Sequence, residues 1–239
     1  ALPQGQCGDC GFAGCAKYAE AVVLDPNVPP NLCVPGKAEV AAVVAKLTGK
    51  VAEATEPKYA HIKCRGGNGI AKLAYEYKGV HDCAAAKIVQ QGPKFCKFGC
   101  LGFGNCTRAC PFGAMSMGEN GLPVVNKTLC TGCGKCASVC PNHVIELLPI
   151  SAKVSISCSS KDFGAPAMKN CKALCLGCGS CMRNCSHQEE GAIKIIDHLA
   201  VVNQDICHTC DNATCLTKCP TGAINEMIKG SFKKEENVG

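Results

Sequence analysis

The stretch CTGCGKCASVCP, residues 130–141, constrains this chain more than any other, because four cysteines occur in it at a fixed spacing. The pattern C-x2-C-x2-C-x3-C-P is typical of iron–sulfur sites, where closely spaced thiolates bind the irons of one cube. In two-cluster proteins the fourth cysteine binds the other cube. Zinc sites more often use separated C-x2-C pairs, so this stretch favours an iron–sulfur cluster over zinc.

A partner stretch, CLGFGNCTRACP, lies upstream at residues 100–111, and the intervening AMSMGENGLPVV has the alternation and turn of a β-hairpin. This region resembles a two-cluster bacterial ferredoxin domain, which implies that ligands cross over between the two motifs. Phe103 stands where the middle upstream cysteine would be, and Cys96 in FCKFGC is expected to replace it. The resemblance implies two sets of ligands: Cys110 with Cys130, Cys133 and Cys136, and Cys140 with Cys96, Cys100 and Cys106.

The pattern then occurs a second time. CLGCGSCMRNC begins at residue 175, AIKIIDHLAVVN is a second predicted hairpin, and CHTCDNATCLTKCP ends at residue 220. FCKFGC and NCKALC match as C-x3-C, so Cys171 corresponds to Cys96, and the chain contains an internal duplication. Crossover implies two more sets: Cys219 with Cys175, Cys178 and Cys181, and Cys185 with Cys207, Cys210 and Cys215.

Four cysteines then lack a place, namely Cys64, Cys83, Cys158 and Cys171. Two interpretations stay open: a further cluster that bridges the two repeats, or a set of buried structural thiols. A competing set of Cys64, Cys83, Cys96 and Cys100 would leave the neighbouring ferredoxin-type site short of ligands.

The head of the chain has a different spacing. CGDCGFAGCAKYAEAV supplies Cys7, Cys10 and Cys15 and continues with helical apolar periodicity. The three prolines of DPNVPPN end that helix, and Cys33 follows before a second predicted helix, AEVAAVVAKL. A helix–turn–helix can fold Cys33 back onto the first loop, which completes a set of four. The stretch resembles the Fes-type 4Fe-4S module, so the motifs together predict five [4Fe-4S] clusters, with the bridging set as a candidate sixth.

From Leu2 to about Ile228, the order of these motifs resembles the B subunit of Rnf complexes. The resemblance implies an electron-transfer subunit of a membrane complex that couples electron flow between reduced ferredoxin and NAD to ion translocation. The implied partners are reduced ferredoxin and other Rnf subunits, including integral membrane ones, at the cytoplasmic face of the cell membrane. Family members begin with a membrane-anchoring helix, so we expect such a segment before Ala1 and a head cluster that hands electrons to the membrane subunits.

We therefore predict an α+β protein, in which a small helical 4Fe-4S (Fes) module is followed by two ferredoxin-like repeats. The predicted boundaries are the module at 1–50, a linker at 51–59, repeats at 60–150 and 151–228, and a charged tail at 229–239. The alternative functions are a polyferredoxin subunit of another anaerobic redox enzyme and a structural zinc protein.

Several other functions find little support in the sequence. The formal charge of +6 counts every thiol as neutral, whereas each oxidised cluster with four thiolates carries about −2. A nucleic-acid partner is therefore not expected. RGGNG at 65–69 is predicted to be a turn rather than a nucleotide loop, and no catalytic or NAD-binding residues are predicted. Lys94 and Lys97 flank Cys96 and are either docking residues for an acidic ferredoxin or ordinary solvated charges.

Overall fold

A computed structural model describes residues 1–53 and 56–228. The predicted tail at 229–239 and two residues of the predicted linker lie outside this part of the chain. The described residues form short helices and two-stranded sheets. The helices are α1 (Cys15–Leu24), α2 (Lys37–Thr48), α3 (Cys83–Ile88), α4 (Asn105–Arg108), α5 (Lys135–Ser138), α6 (Gly164–Asn170), α7 (Ser180–Arg183), α8 (Gln204–Cys207) and α9 (Thr214–Thr217). The strands are β1 (Lys58–Ile62), β2 (Met115–Met117), β3 (Pro123–Val125), β4 (Ile145–Pro149), β5 (Val154–Ile156), β6 (Ile193–Ile196), β7 (Leu199–Val202) and β8 (Ile224–Glu226).

The head of the chain, residues 1–50, contains both predicted helices, α1 and α2. Tyr18 and Val22 of α1 pack with Val44 of α2 and with Cys33 in a small core. The Tyr18 hydroxyl donates a hydrogen bond to the Pro29 carbonyl at 2.9 Å, which ties the proline-rich turn to α1. This packing folds the turn back and brings Cys33 towards the first loop.

The first half, residues 58–150, has an outer strand pair and an inner hairpin. Strands β1 and β4 pair antiparallel, with Lys58 opposite Pro149. The predicted hairpin at 114–125 is confirmed, since β2 and β3 pair antiparallel with Met115 opposite Val125. The core between the two sheets contains Val144 and Ile145 together with cysteines of both motifs.

The second half, residues 151–228, repeats this topology. Strands β5 and β8 form the outer antiparallel pair, and β6 and β7 form the inner hairpin that was predicted at 192–203. The core again contains aliphatic side chains and cysteines, including Val154 and Ile193. Each half is too small to bury a large apolar core, so its cysteines take up much of the interior. Across residues 1–53 and 56–228, no helix is both long enough and apolar enough to span a membrane.

Candidate iron–sulfur sites

The 24 cysteines are all free thiols in the structure. Within the described ranges, no three Cys, His, Asp or Glu side chains converge closely enough to hold a single metal ion. The thiols instead form six sets of four. Four of these sets line small cavities, and the other two are identified by thiolates that raise one another's pKa.

The first set, here called the head site, consists of Cys7, Cys10, Cys15 and Cys33. Burial raises the pKa of Cys33, and thiolates at Cys15, Cys7 and Cys10 raise it further, so these four groups are close neighbours. The structure thus brings Cys33 to the first loop, as the spacing predicted.

The Cys130 site consists of Cys110, Cys130, Cys133 and Cys136, which line one cavity. The short helix α5 places Cys136 in the interior, where burial and then its neighbours raise its pKa to about 12. Gly132 has a left-handed φ of 74°, and an added Cβ would lie 2.4 Å from the Lys58 carbonyl oxygen. Only glycine therefore lets this loop pack against β1.

The Cys83 site differs from the predicted set. Its cavity is lined by Cys83, Cys100, Cys106 and Cys140. Cys96, which was expected to complete this set, lies elsewhere, and Cys83 takes its place.

Phe103 explains why Cys83 is present at this site. The ring that replaces the missing cysteine contacts Tyr77 and His81, with centroid distances of 5.2 and 5.6 Å. Asp82 caps α3 by accepting a hydrogen bond from the Ala85 N–H, and its other oxygen accepts one from the Asn105 amide at 2.6 Å. The Cys83 N–H donates to the Asn105 side-chain oxygen at 2.9 Å. These contacts fix the segment before α3 against α4 and deliver Cys83. The aspartate before Cys83 and the asparagine before Cys106 are the sequence signal that could have found it.

The Cys178 site consists of Cys175, Cys178, Cys181 and Cys219, which line one cavity in the second half. The structure brings together the set implied by crossover. Gly177 is the counterpart of Gly132, because it also has a left-handed φ, of 61°, and its added Cβ would lie 2.4 Å from the His198 carbonyl oxygen.

The Cys207 site consists of Cys185, Cys207, Cys210 and Cys215, again the set implied by crossover. Burial and then thiolates at Cys207, Cys185 and Cys210 raise the pKa of Cys215 to about 12. Ser186, which stands where the other motifs have proline, places its hydroxyl 3.2 Å from the Cys210 Sγ. The altered turn therefore keeps a polar contact with the site.

The bridging site lies between the halves, and its cavity is lined by Cys64, Cys96, Cys158 and Cys171. A Cβ on Gly66 would lie 3.4 Å from Cys171 Sγ and 3.7 Å from Cys64 Sγ, and one on Gly99 would lie 3.6 Å from both Cys64 and Cys96 Sγ. Gly66 thus leaves open the space between thiols of different halves, and Gly99 leaves open the space between two thiols of the first half. Three of the four cysteines that the motifs left without a site, Cys64, Cys158 and Cys171, therefore lie together here. The fourth ligand is Cys96 and not Cys83.

The donor chemistry of these sites fits iron–sulfur clusters, which take four thiolates and N–H···S hydrogen bonds. Backbone N–H groups approach sulfur at the bridging site and the Cys130 site: Cys100 N to Cys64 Sγ at 3.3 Å, Ser160 N to Cys158 Sγ at 3.4 Å, and Ala60 N to Cys130 Sγ at 3.5 Å. Burial raises the pKa of twelve of the 24 free thiols, so the thiolates at these positions require a positive partner such as iron.

Consecutive sites adjoin one another, and a pair of thiols shows each junction. In every pair, burial raises the pKa of the first thiol, and a thiolate in the adjoining site raises it further. The pairs are Cys133 with Cys7, Cys136 with Cys106, Cys100 with Cys64, Cys158 with Cys175, and Cys215 with Cys181. The six sites therefore form a series: head, Cys130, Cys83, bridging, Cys178 and Cys207.

The basic residues near Cys96 lie in two different environments. Lys94 is buried, with 7% of its surface exposed, so both predictions for it, a docking residue and an ordinary solvated charge, are wrong. Lys97 is half-buried, and its ammonium donates a hydrogen bond to the Gln90 carbonyl at 2.8 Å. The motif RGGNG contains a turn, as predicted.

Comparison with known proteins places this geometry in context. The model of the 4Fe-4S dicluster domain matches residues 99–145, and a second model, FeS, which describes an Fe-S cluster, matches residues 2–35. The chain is 55% identical to the B subunit of the proton-translocating ferredoxin:NAD(+) oxidoreductase complex of Clostridium ljungdahlii, over 99% of the chain and 82% of that protein. It is 42% identical to the B subunit of the ion-translocating oxidoreductase complex of Methanosarcina acetivorans, over 93% of the chain and 82% of that protein. It is 37% identical to the B subunit of the Na(+)-translocating ferredoxin:NAD(+) oxidoreductase complex of Acetobacterium woodii, over 96% of the chain and 67% of that protein.

Proposed function

The chain belongs to the family of B subunits of ion-translocating ferredoxin:NAD(+) oxidoreductase complexes, and we propose that it receives electrons from reduced ferredoxin and relays them to the membrane subunits of such a complex. The resemblance to the Rnf B subunit is thereby confirmed, and the chain is an iron–sulfur electron-transfer subunit. This electron transfer would take place at the cytoplasmic face of the membrane.

The series of six sites carries this proposal. A [4Fe-4S] cluster, when bound by four thiolates, supplies one-electron chemistry whose potential depends on hydrogen bonds and burial. The chain's part is to hold each site at a fixed place, to shield it from water and to put neighbouring sites side by side. Cys100 shows the arrangement, because it belongs to the Cys83 site while its N–H donates to Cys64 of the bridging site.

The two ends of the series suggest a direction. The head site lies at one end, and the family resemblance places the head next to the membrane-anchoring segment. The Cys207 site lies at the other end, in the second half of the chain. Electrons would then enter at the Cys207 site and leave from the head site. All six sites are included in this proposal, with the 24 cysteines as their ligands.

Two single substitutions test the direction, in complexes purified anaerobically. Cys7→Ala should leave the chain reducible by ferredoxin but abolish transfer to the membrane subunits, because only the terminal head site is lost. Cys207→Ala should instead slow the reduction of the remaining sites by ferredoxin. Iron analysis verifies that each variant has lost only one site, as about four irons. Normal transfer to the membrane subunits in Cys7→Ala would defeat the assignment of the head as the exit.

A further inference from the structure

Lys94 is a buried cation whose position serves two sites at once. Its ammonium donates hydrogen bonds to the Gly66 carbonyl and to the Cys100 carbonyl, both at 2.7 Å. The backbone of Lys94 forms a β-bridge with Leu73, which fixes the direction from which the side chain enters. A lysine this deeply buried is uncommon, because removing an ammonium from water is costly without compensating charges or acceptors.

The two acceptors belong to different sites. Cys100 is a thiol of the Cys83 site, whereas Gly66 lies in the loop that follows Cys64 of the bridging site, and Lys94 itself lines the bridging cavity. The ammonium therefore lies where the two sites adjoin. Burial raises the pKa of Cys100 and of Cys171, and Lys94 lowers both, so its field reaches thiols of both sites.

We propose that the positive charge of the buried Lys94 ammonium raises the reduction potentials of the Cys83 and bridging sites. The inference rests on the proposed function, because it requires clusters at these sites. Reduction adds one electron to a site and makes it more negative by one charge, while the donor loses that electron. A nearby positive charge stabilises the reduced state more than the oxidised one, and a buried charge is little screened by salt.

The duplication supplies a matched control. Cys96 corresponds to Cys171, so Lys94 corresponds to Lys169, which is exposed on α6. The same residue type therefore occurs at equivalent places, once buried between sites and once in solvent. Only the buried copy should affect reduction potentials, and the two central sites should consequently be easier to reduce than they would be without it.

The experiment is an anaerobic redox titration of the full chain with dithionite, followed by electron paramagnetic resonance. Lys94→Met and Lys94→Gln remove the charge, Lys94→Arg retains it, and Lys169→Met is the control. In both neutral variants, the equilibrium constants of two one-electron reduction steps should fall at least tenfold. A tenfold fall corresponds to a shift of about 59 mV to lower potential. Lys94→Gln keeps a donor for the carbonyls, so a shift there as large as in Lys94→Met assigns the effect to charge. Lys94→Arg and Lys169→Met should titrate like the unmodified chain.

Three results would overturn the inference. The first is a full iron content with unchanged potentials in both neutral variants. The second is loss of iron from both neutral variants, since Lys94 would then act in assembly rather than on potential. The third is an equal shift in Lys169→Met. If the unmodified chain binds no iron and sulfide, the proposed function fails as well, which distinguishes that failure from the other three.

Discussion

Cys83 and Cys96 occupy each other's expected sites in the structure. The grouping in the structure and the grouping from motif spacing therefore predict opposite results for the same variants. The structure groups Cys83 with Cys106 and groups Cys96 with the bridging thiols. The motif spacing groups Cys96 with Cys106 instead. Double substitutions distinguish the two, because two lost ligands remove one cluster when they share a site and two clusters when they do not.

The magnitude follows from the six sites, which together would hold about 24 irons per chain. Cys83→Ala with Cys106→Ala should leave about 20 irons, because both thiols belong to the Cys83 site. Cys96→Ala with Cys106→Ala should leave about 16, because the bridging site is lost as well. Alanine is preferred to serine since it offers no oxygen ligand.

Iron and acid-labile sulfide, measured per chain after anaerobic purification, decide between the groupings. The single variants Cys83→Ala and Cys96→Ala are the controls, and each should retain about 20 irons. The reverse order of the double variants, with the Cys96/Cys106 pair retaining more iron, would refute the grouping. Equal values for the two pairs would refute it too.

Two further predictions concern stability, measured by anaerobic unfolding. Gly177→Ala should destabilise the chain more than Gly113→Ala, although both residues have a φ of 61°. An alanine at Gly113 meets open space and costs only left-handed strain of about 1–2 kcal/mol, whereas at Gly177 its Cβ would also strike the His198 carbonyl. Equal losses would contradict this. Burial lowers the pKa of His61, so the unfolded chain binds more protons there, and stability should fall as pH drops below the usual histidine value of about 6.5. His61→Gln should reduce that fall, and parallel pH profiles would rule out His61 as its source.

Local spacing was sufficient to predict much of the architecture. Both hairpins and both head helices are confirmed, because alternation, turn residues and apolar periodicity act over short stretches. Four of the four-thiol sets also lie as the spacing and the crossover imply. In these sets a motif supplies three thiols, so the fold has only to deliver the fourth.

The choice between Cys83 and Cys96 could not be made in this way. It depends on Phe103, whose ring holds the segment before α3, and on hydrogen bonds to Asn105, a residue 22 positions away from Cys83 along the chain. Lys94 presents the same difficulty, since a basic residue beside a cysteine suggests a solvent-exposed charge. Its burial follows from the meeting of two loops, which the local sequence does not reveal.

The bridging site takes Cys64 and Cys96 from the first half and Cys158 and Cys171 from the second. Four thiols tied to one group would act as a cross-link between distant parts of the chain, and a cross-link that closes long loops stabilises mainly by restricting the unfolded ensemble. Each half expressed alone would keep only two of these thiols. A group held at this site would therefore link the two duplicated halves, and oxidative damage to these thiols would weaken that link while each half keeps its own hairpin.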